Sequence, residues 1–153
     1  MDRLGSWVGW IALVGVIALA VWVFVGQGQS GTLTVVEHAD TDTVVDLGTT
    51  GDSIEDLLAF GNPIYDAANA SQVGTDQGEC FRSTPGVSWE CTWTVYLDGG
   101  AMTVQGIFLD SLADSTLAIT GGTGSYAGAH GEMTLHARNA DGTEFDFTYN
   151  WSK

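Results

Sequence analysis

Positive charge is scarce in this chain. Its 153 residues include 4 Lys and Arg against 19 Asp and Glu, which gives a formal net charge of −15. Beyond Arg3 the cations are Arg82, Arg138 and Lys153. Because proteins that bind nucleic acid need a basic surface, this composition excludes that class of partner. An acidic surface is compatible with solubility alone, with a salty habitat, or with a basic soluble protein as partner.

A helical period is missing from residue 32 onward, apart from an ambiguous turn at "IEDLLAF" (54–60). Apolar and polar residues instead alternate with period two, as in "VSWECTWTVYL" (87–97) and "EFDFTYNW" (144–151). Turn signals such as Pro85-Gly86 separate the runs. We predict about eight antiparallel strands, at 33–37, near 53–60, and at 73–81, 87–97, 101–109, 115–120, 131–138 and 144–151. Such strands without helices indicate an all-β barrel or sandwich.

A nucleotide-binding turn is mimicked by "GGTGSYAGAHG" (121–131), which fits the loose G-x-G-x-x-A pattern. That turn needs a helix directly after the glycines, because the helix N-terminus holds the pyrophosphate. Here the next segment alternates with period two, and no Gly-Lys-Ser/Thr occurs. We expect a tight loop between two strands, with glycines at positive φ.

Cysteine is limited to two residues, Cys80 and Cys91. A hairpin centred on Pro85-Gly86 places them directly across from each other on neighbouring strands. Such neighbours can approach disulfide distance, and a location outside the cytoplasm would permit the bond. We therefore predict a structural disulfide, with two free thiols as the alternative.

Spacings typical of metal sites are also lacking. The three histidines are scattered along the chain: His38, His130 and His136. The acidic stretches "DTDTVVD" (40–46) and "NADGTEFD" (139–146) do not match the EF-hand loop. We predict no metal and no cofactor, with calcium as the minority alternative.

Charge is absent between Arg3 and Glu37, and within this gap residues 4–25 are apolar except for Ser6. About twenty such residues span a bilayer as a helix. Tryptophans near both ends of the run lie where aromatic belts form. We predict an uncleaved transmembrane helix at 6–25. The alternative is a cleaved signal peptide with Gly26-Gln27-Gly28 as its cleavage site.

The predicted helix defines the organisation of the whole chain. Because Arg3 lies beside it, residues 1–5 are expected to stay in the cytoplasm. Residues 26–31 form a flexible linker, and residues 32–153 form a barrel domain in the periplasm or outside the cell. The helix face with Gly5, Gly9 and Ala12 favours close packing on another helix, with ordinary glycine use in a membrane span as the alternative.

Three stretches resemble one known family in the same order along the chain. The segment "LAITGGTGSYAGAHGEMTL" (117–135) resembles the signature of allene oxide cyclases and the related dirigent proteins. "FGNPIYDAANASQVGTDQGEC" (60–80) and "WECTWTVYLDGGAMTVQGIF" (89–108) resemble earlier parts of that family. The resemblance covers about residues 33–150. It implies an eight-stranded antiparallel barrel with a central cavity, often assembled as a homotrimer.

The resemblance also implies a chemistry. Allene oxide cyclases close a ring in an unsaturated fatty-acid epoxide without a cofactor, and use a Glu, two Asn and a Pro to polarise the substrate and hold a water. Glu37 matches the Glu, Asn62 matches the second Asn, and Cys80 matches a cavity cysteine. Ala39 stands where the first Asn would be, and no Pro follows. A Glu buried in an apolar barrel has a raised pKa and can act as acid or base. The alternatives are an exposed Glu37 at a strand end and a turn role for Asn62.

Two functions follow, and the sequence favours the first. The barrel is an accessory subunit or binding module of a membrane protein complex, held there through the N-terminal helix. Alternatively, it is a cofactor-free cyclase or isomerase acting on an apolar small molecule, with Glu37 and Asn62 as catalytic residues. An enzyme needs an open cavity faced by these two side chains, whereas a structural subunit can fill its barrel with side chains.

Overall fold

The computed structural model of the protein describes residues 28–153. The predicted transmembrane helix at 6–25, its packing residues Gly5, Gly9 and Ala12, and the cytoplasmic residues 1–5 lie outside this part. Among the described residues, no helix has both the length and the apolar character that crossing a bilayer requires.

Ten strands and one 3-10 helix make up the described chain. All eight predicted strands are present, and two short ones, β2 and β4, were not predicted. The strands are β1 Ser30–His38, β2 Thr43–Val45, β3 Leu57–Phe60, β4 Pro63–Asp66, β5 Gln72–Thr84, β6 Ser88–Leu97, β7 Gly100–Leu109, β8 Ser115–Gly122, β9 His130–Ala137 and β10 Glu144–Ser152, and the 3-10 helix is Gly124–Tyr126.

Eight of these strands close an antiparallel barrel. Their order is β5-β4-β1-β10-β9-β8-β7-β6, and β6 pairs back onto β5. The long strand β5 pairs with β4 along its first half and with β3 along its second half, while β2 continues the sheet beyond β3. The closed ring confirms the barrel and excludes the sandwich.

Side-chain alternation places one face of each strand inside the barrel, as the period-two pattern predicts. In β6 the buried apolar residues are Trp89, Cys91, Trp93 and Val95, and in β10 they are Phe145, Phe147 and Tyr149. Fully buried side chains from other strands complete the core, among them Ile64, Met102, Val104, Leu117 and Met133. These apolar faces hold the barrel closed because their burial removes them from water.

The glycine run after β8 forms a loop of the expected kind. Gly124 has φ +57°, and a Cβ there would lie 2.2 Å from the carbonyl oxygen of Gly99. The amide of Ser125 donates to that same oxygen at 2.8 Å. A residue other than glycine at position 124 would therefore clash and strain the backbone.

The connections between strands define two ends of the barrel. At one end, called the open end, lie residues 39–56, 85–87, 110–114 and 138–143. At the other, called the closed end, lie residues 67–71, 98–99 and 123–129.

Candidate active site

A cavity of about 230 Å³ lies inside the open end of the barrel. Its apolar wall consists of Leu58, Phe60, Trp93, Phe108, Leu112, Leu135, Phe145 and Phe147. The rings pack against each other, with centroids 5.4 Å apart for Trp93 and Phe147 and 5.8 Å apart for Phe108 and Phe145. Among the described residues, the carboxylates that line it are Glu37, Asp42 and Asp141. An apolar concave wall with a few polar groups is typical of a small-molecule site.

A larger depression of about 690 Å³ lies on the barrel surface over β6, β7 and β8. Threonine and glycine dominate its lining, and none of the described residues that line it is a carboxylate, histidine, lysine or arginine. The interior cavity, which is lined by carboxylates, is therefore the candidate active site.

Glu37 lies near the end of β1 and faces the cavity. It pairs across the sheet with Phe145 of β10 and Ile64 of β4, and only 6% of its surface is exposed. The alternative of an exposed Glu37 is therefore wrong. The alternation that places Val35 inside the barrel places Glu37 inside as well.

Asn62 lies at the break between β3 and β4 and fixes Glu37 in place. Its amide nitrogen donates to Glu37 Oε1 at 2.9 Å and to Asp42 Oδ1 at 2.8 Å. Its amide oxygen accepts from the backbone N–H and the hydroxyl of Thr41, at 2.9 and 3.0 Å. Asn62 is buried but does not line the cavity. It would therefore act through Glu37, as a positioning residue.

Asp76 on β5, which was not predicted from the sequence, forms a carboxyl pair with Glu37. It is fully buried, and its Oδ1 accepts the Asn62 backbone N–H at 3.0 Å. The charge of each carboxyl group disfavours ionisation of the other, so a proton on one of them is favoured. Period two offered a signal, since Asp76 shares the interior face of β5 with Cys80.

Burial is the main cause of the altered acidity of this pair. Desolvation, followed by the charge of Asp76, raises the pKa of Glu37 well above its ordinary value. Desolvation also raises the pKa of Asp76 to about 6, against the lowering effect of its hydrogen bonds. Both shifts favour a protonated pair, which can give a proton and take it back.

Two further polar groups, also missed from the sequence, lie inside the barrel near the pair. The indole N–H of Trp93 and the hydroxyl of Tyr149 lack a well-formed hydrogen bond among the described residues. Burial, and then the charge of Asp76, raises the pKa of Tyr149, which keeps its hydroxyl protonated. Most buried polar groups in proteins are hydrogen-bonded, so both groups are available to a water or a ligand in the cavity region.

The predicted disulfide is present in the cavity wall. Cys80 and Cys91 are direct partners in the β5–β6 register, and their sulfur atoms lie 2.03 Å apart. Both residues line the cavity. The cavity cysteine that the resemblance implied at Cys80 is therefore a disulfide and offers no thiol.

The family's remaining polar positions are filled differently here. Ala39, which replaces the first Asn, packs against the apolar core. Asp42 instead supplies a second acceptor for the Asn62 amide. Among residues 28–153, no three His, Cys, Asp or Glu side chains lie together in a way that would hold a metal ion.

Residues 32–140 match the family model for allene oxide cyclase. The chain belongs to the allene oxide cyclase family. The resemblance inferred from the sequence is thereby confirmed.

This member of the allene oxide cyclase family is similar to solved structures of proteins whose names describe different activities. It is similar to pyocyanin demethylase, with 31% identity, a TM-score of 0.66, and coverage of 76% of this chain and 98% of that one. It also resembles the pterocarpan synthase dirigent protein GePTS1, at 14% identity and TM-score 0.69 over 92% of this chain and 98% of that one. The exo-specific intermolecular Diels-Alderase AbnU is also similar, at 12% identity and TM-score 0.63, over 84% of this chain and 100% of that one. The last two likenesses concern the fold alone.

Proposed function

We propose that this protein is a cofactor-free enzyme that acts on a small molecule inside its barrel, with Glu37 as the acid–base residue. The observation that carries this proposal is a buried, protonatable carboxyl group on the wall of an open aromatic cavity. A barrel filled with side chains would instead have favoured the structural role.

The roles of the residues follow from what each one touches. Glu37 lines the cavity and is the catalytic residue. In an isomerisation or cyclisation the proton given to one atom of the substrate is recovered from another, so Glu37 acts first as acid and then as base. Asn62 holds its orientation through the 2.9 Å hydrogen bond, and Asp76 tunes its proton affinity. The aromatic wall would confine the substrate in a reactive shape.

The relatives favour this enzyme role over the accessory-subunit role. One similar structure is named a demethylase and another a Diels-Alderase. Each name describes a reaction on a small molecule, and each barrel shares this fold. Fold alone does not determine function, so the proposal depends mainly on the cavity and Glu37.

Turnover by the purified full chain in mild detergent tests the proposal. The chain is incubated with the methyl ester of an unsaturated fatty-acid epoxide and, separately, with pyocyanin, and the products are separated by chromatography and identified by mass spectrometry. We expect conversion by the native chain, a loss of at least about 100-fold in Glu37→Gln, and no loss in Glu132→Gln. Glu132 is an exposed residue of β9 and provides the matched control. Equal rates for Glu37→Gln and the native chain would refute the acid–base role.

We also propose that residues 6–25 tether the barrel as a single-pass anchor, with the barrel in the periplasm or outside the cell. The uncharged apolar run and the disulfide support this location. Extraction in mild detergent, followed by native gel separation and mass spectrometry, tests what the anchor binds. A stoichiometric complex with other membrane proteins would favour the accessory-subunit role. Migration alone or as a homotrimer would contradict it.

A further inference from the structure

We propose that the ligand of the cavity is a planar aromatic cation. This inference rests on the proposed function, because it assumes that the cavity binds a small molecule, and it adds the charge of that molecule. Three features of the cavity carry it: unpaired carboxylates at the rim, an uneven distribution of charge over the barrel, and an aromatic wall.

The rim of the cavity carries negative charge that no side chain neutralises. Asp42 and Asp141 line the cavity, and neither forms an ion pair within residues 28–153. The two arginines of the described chain are already engaged. Arg82 pairs with Asp52 and Asp110, and Arg138 pairs with Glu144 and Asp146.

Negative charge is concentrated at the open end. Six acidic residues lie in 39–56, two in 110–114 and one in 138–143, whereas Asp98 is the only acidic residue in the connections of the closed end. A surface that serves solubility alone has no reason to favour one end. A cleft lined by one sign of charge raises the local concentration of ligands of the opposite sign.

The wall inside the rim suits a cation as well. Ring faces attract positive charge, and Phe60, Trp93 and Phe147 lie within 6.1 Å of one another as a connected aromatic surface. Behind them, the buried carboxyl groups of Glu37 and Asp76 add negative charge inside the barrel when they ionise. Within residues 28–153, no lysine or arginine lines this cavity. A cationic ligand would offset that charge, whereas a ligand ending in a carboxylate would be repelled.

Three ring systems of similar shape test the charge preference: 1-methylquinolinium, neutral 1-methylnaphthalene and anionic 1-naphthoate. Binding to the full chain in mild detergent is followed by tryptophan fluorescence at low salt and pH 7.5. One carboxylate at about 6 Å corresponds to about 3- to 100-fold in affinity for effective dielectric constants between 80 and 20. We expect 1-methylquinolinium to bind about 10-fold tighter than 1-methylnaphthalene, and 1-naphthoate to bind most weakly. Added salt should weaken the binding of the cation alone.

A rim variant locates the effect. Asp141→Asn should weaken 1-methylquinolinium binding by about 3- to 10-fold and leave 1-methylnaphthalene unchanged. Asp98→Asn, which removes one exposed carboxylate at the closed end, should leave the binding of both compounds unchanged. If 1-methylnaphthalene or 1-naphthoate binds as tightly as the cation, or if Asp141→Asn has no effect, the preference for a cation is refuted while the cavity remains a binding site. If none of the three binds, the proposed function fails together with this inference.

Discussion

Replacing Asp76 with asparagine should make the protein more stable at neutral pH. Asparagine has the shape of a protonated aspartic acid, and its oxygen can still accept the Asn62 backbone N–H. Asp76 is fully buried and has a pKa of about 6, against an ordinary value of 3.8. The folded protein therefore binds this proton more tightly than the unfolded chain does.

The sign and size of the effect follow from this difference. The stability that a raised carboxyl pKa confers is fully present at low pH and is lost as the pH rises from about 4 through 6. A shift of about 2 pH units corresponds to about 3 kcal/mol of unfolding free energy. Because asparagine does not titrate, Asp76→Asn should match the native chain at pH 4 and exceed it by about 3 kcal/mol at pH 8. For a domain of this size the gain is about 10 °C in Tm.

Thermal unfolding of the full chain in mild detergent, followed by near-ultraviolet circular dichroism at pH 4, 6 and 8, measures this difference. Titrating groups distant from the pair, such as His136 with its pKa raised by Asp114, are present in both proteins and cancel in the comparison. Asp98→Asn serves as control, since that carboxylate is exposed. A difference between Asp76→Asn and the native chain that stays constant from pH 4 to 8 would refute the titrating pair.

Two more predictions concern the framework of the barrel. The double substitution Cys80→Ala and Cys91→Ala removes the disulfide, which closes a loop of about 11 residues. It should lower the free energy of unfolding in guanidinium by about 3 kcal/mol. An unchanged midpoint of unfolding would show that the bond does not form. Gly124→Ala should lower Tm by at least about 4 °C because of its positive φ and the clash with Gly99. Gly121→Ala, where an added Cβ has nothing within 4 Å, should lower Tm far less, and equal shifts for the two variants would contradict this account of the loop.

The barrel could be predicted because the alternation that indicates each strand lies within a few consecutive residues. Alternation in β6 and β10 indicated which side chains share a face, and the structure buries the face with Trp93 and Phe147. The disulfide was predictable for the same reason, because counting outward from Pro85-Gly86 reaches Cys80 and Cys91. Strands β2 and β4 have only three and four residues, which is too short for alternation to stand out.

The polar network was less predictable because it joins distant parts of the chain. Asn62 bonds to Glu37 across 25 residues and to Asp42 across 20, and no sequence period links these positions. Asp76 could have been predicted from the sequence, because it lies four residues before Cys80 on β5, and period two places both side chains on the same face. The presence of an aspartate on an interior face was the signal, because a buried carboxylate requires a partner.

The differences from the family pattern change what the cavity can do. The missing Asn and Pro would have helped to hold a water, whereas here Asp42 and Asp76 surround the Glu37–Asn62 pair with carboxyl groups. Added negative charge makes Glu37 harder to ionise, which raises its pKa and favours its protonated form. A positive ligand would reverse this effect, because its charge favours the ionised form of Glu37. In such a site, binding of a cation would itself help Glu37 to release its proton, which couples recognition of the ligand to the first step of acid catalysis.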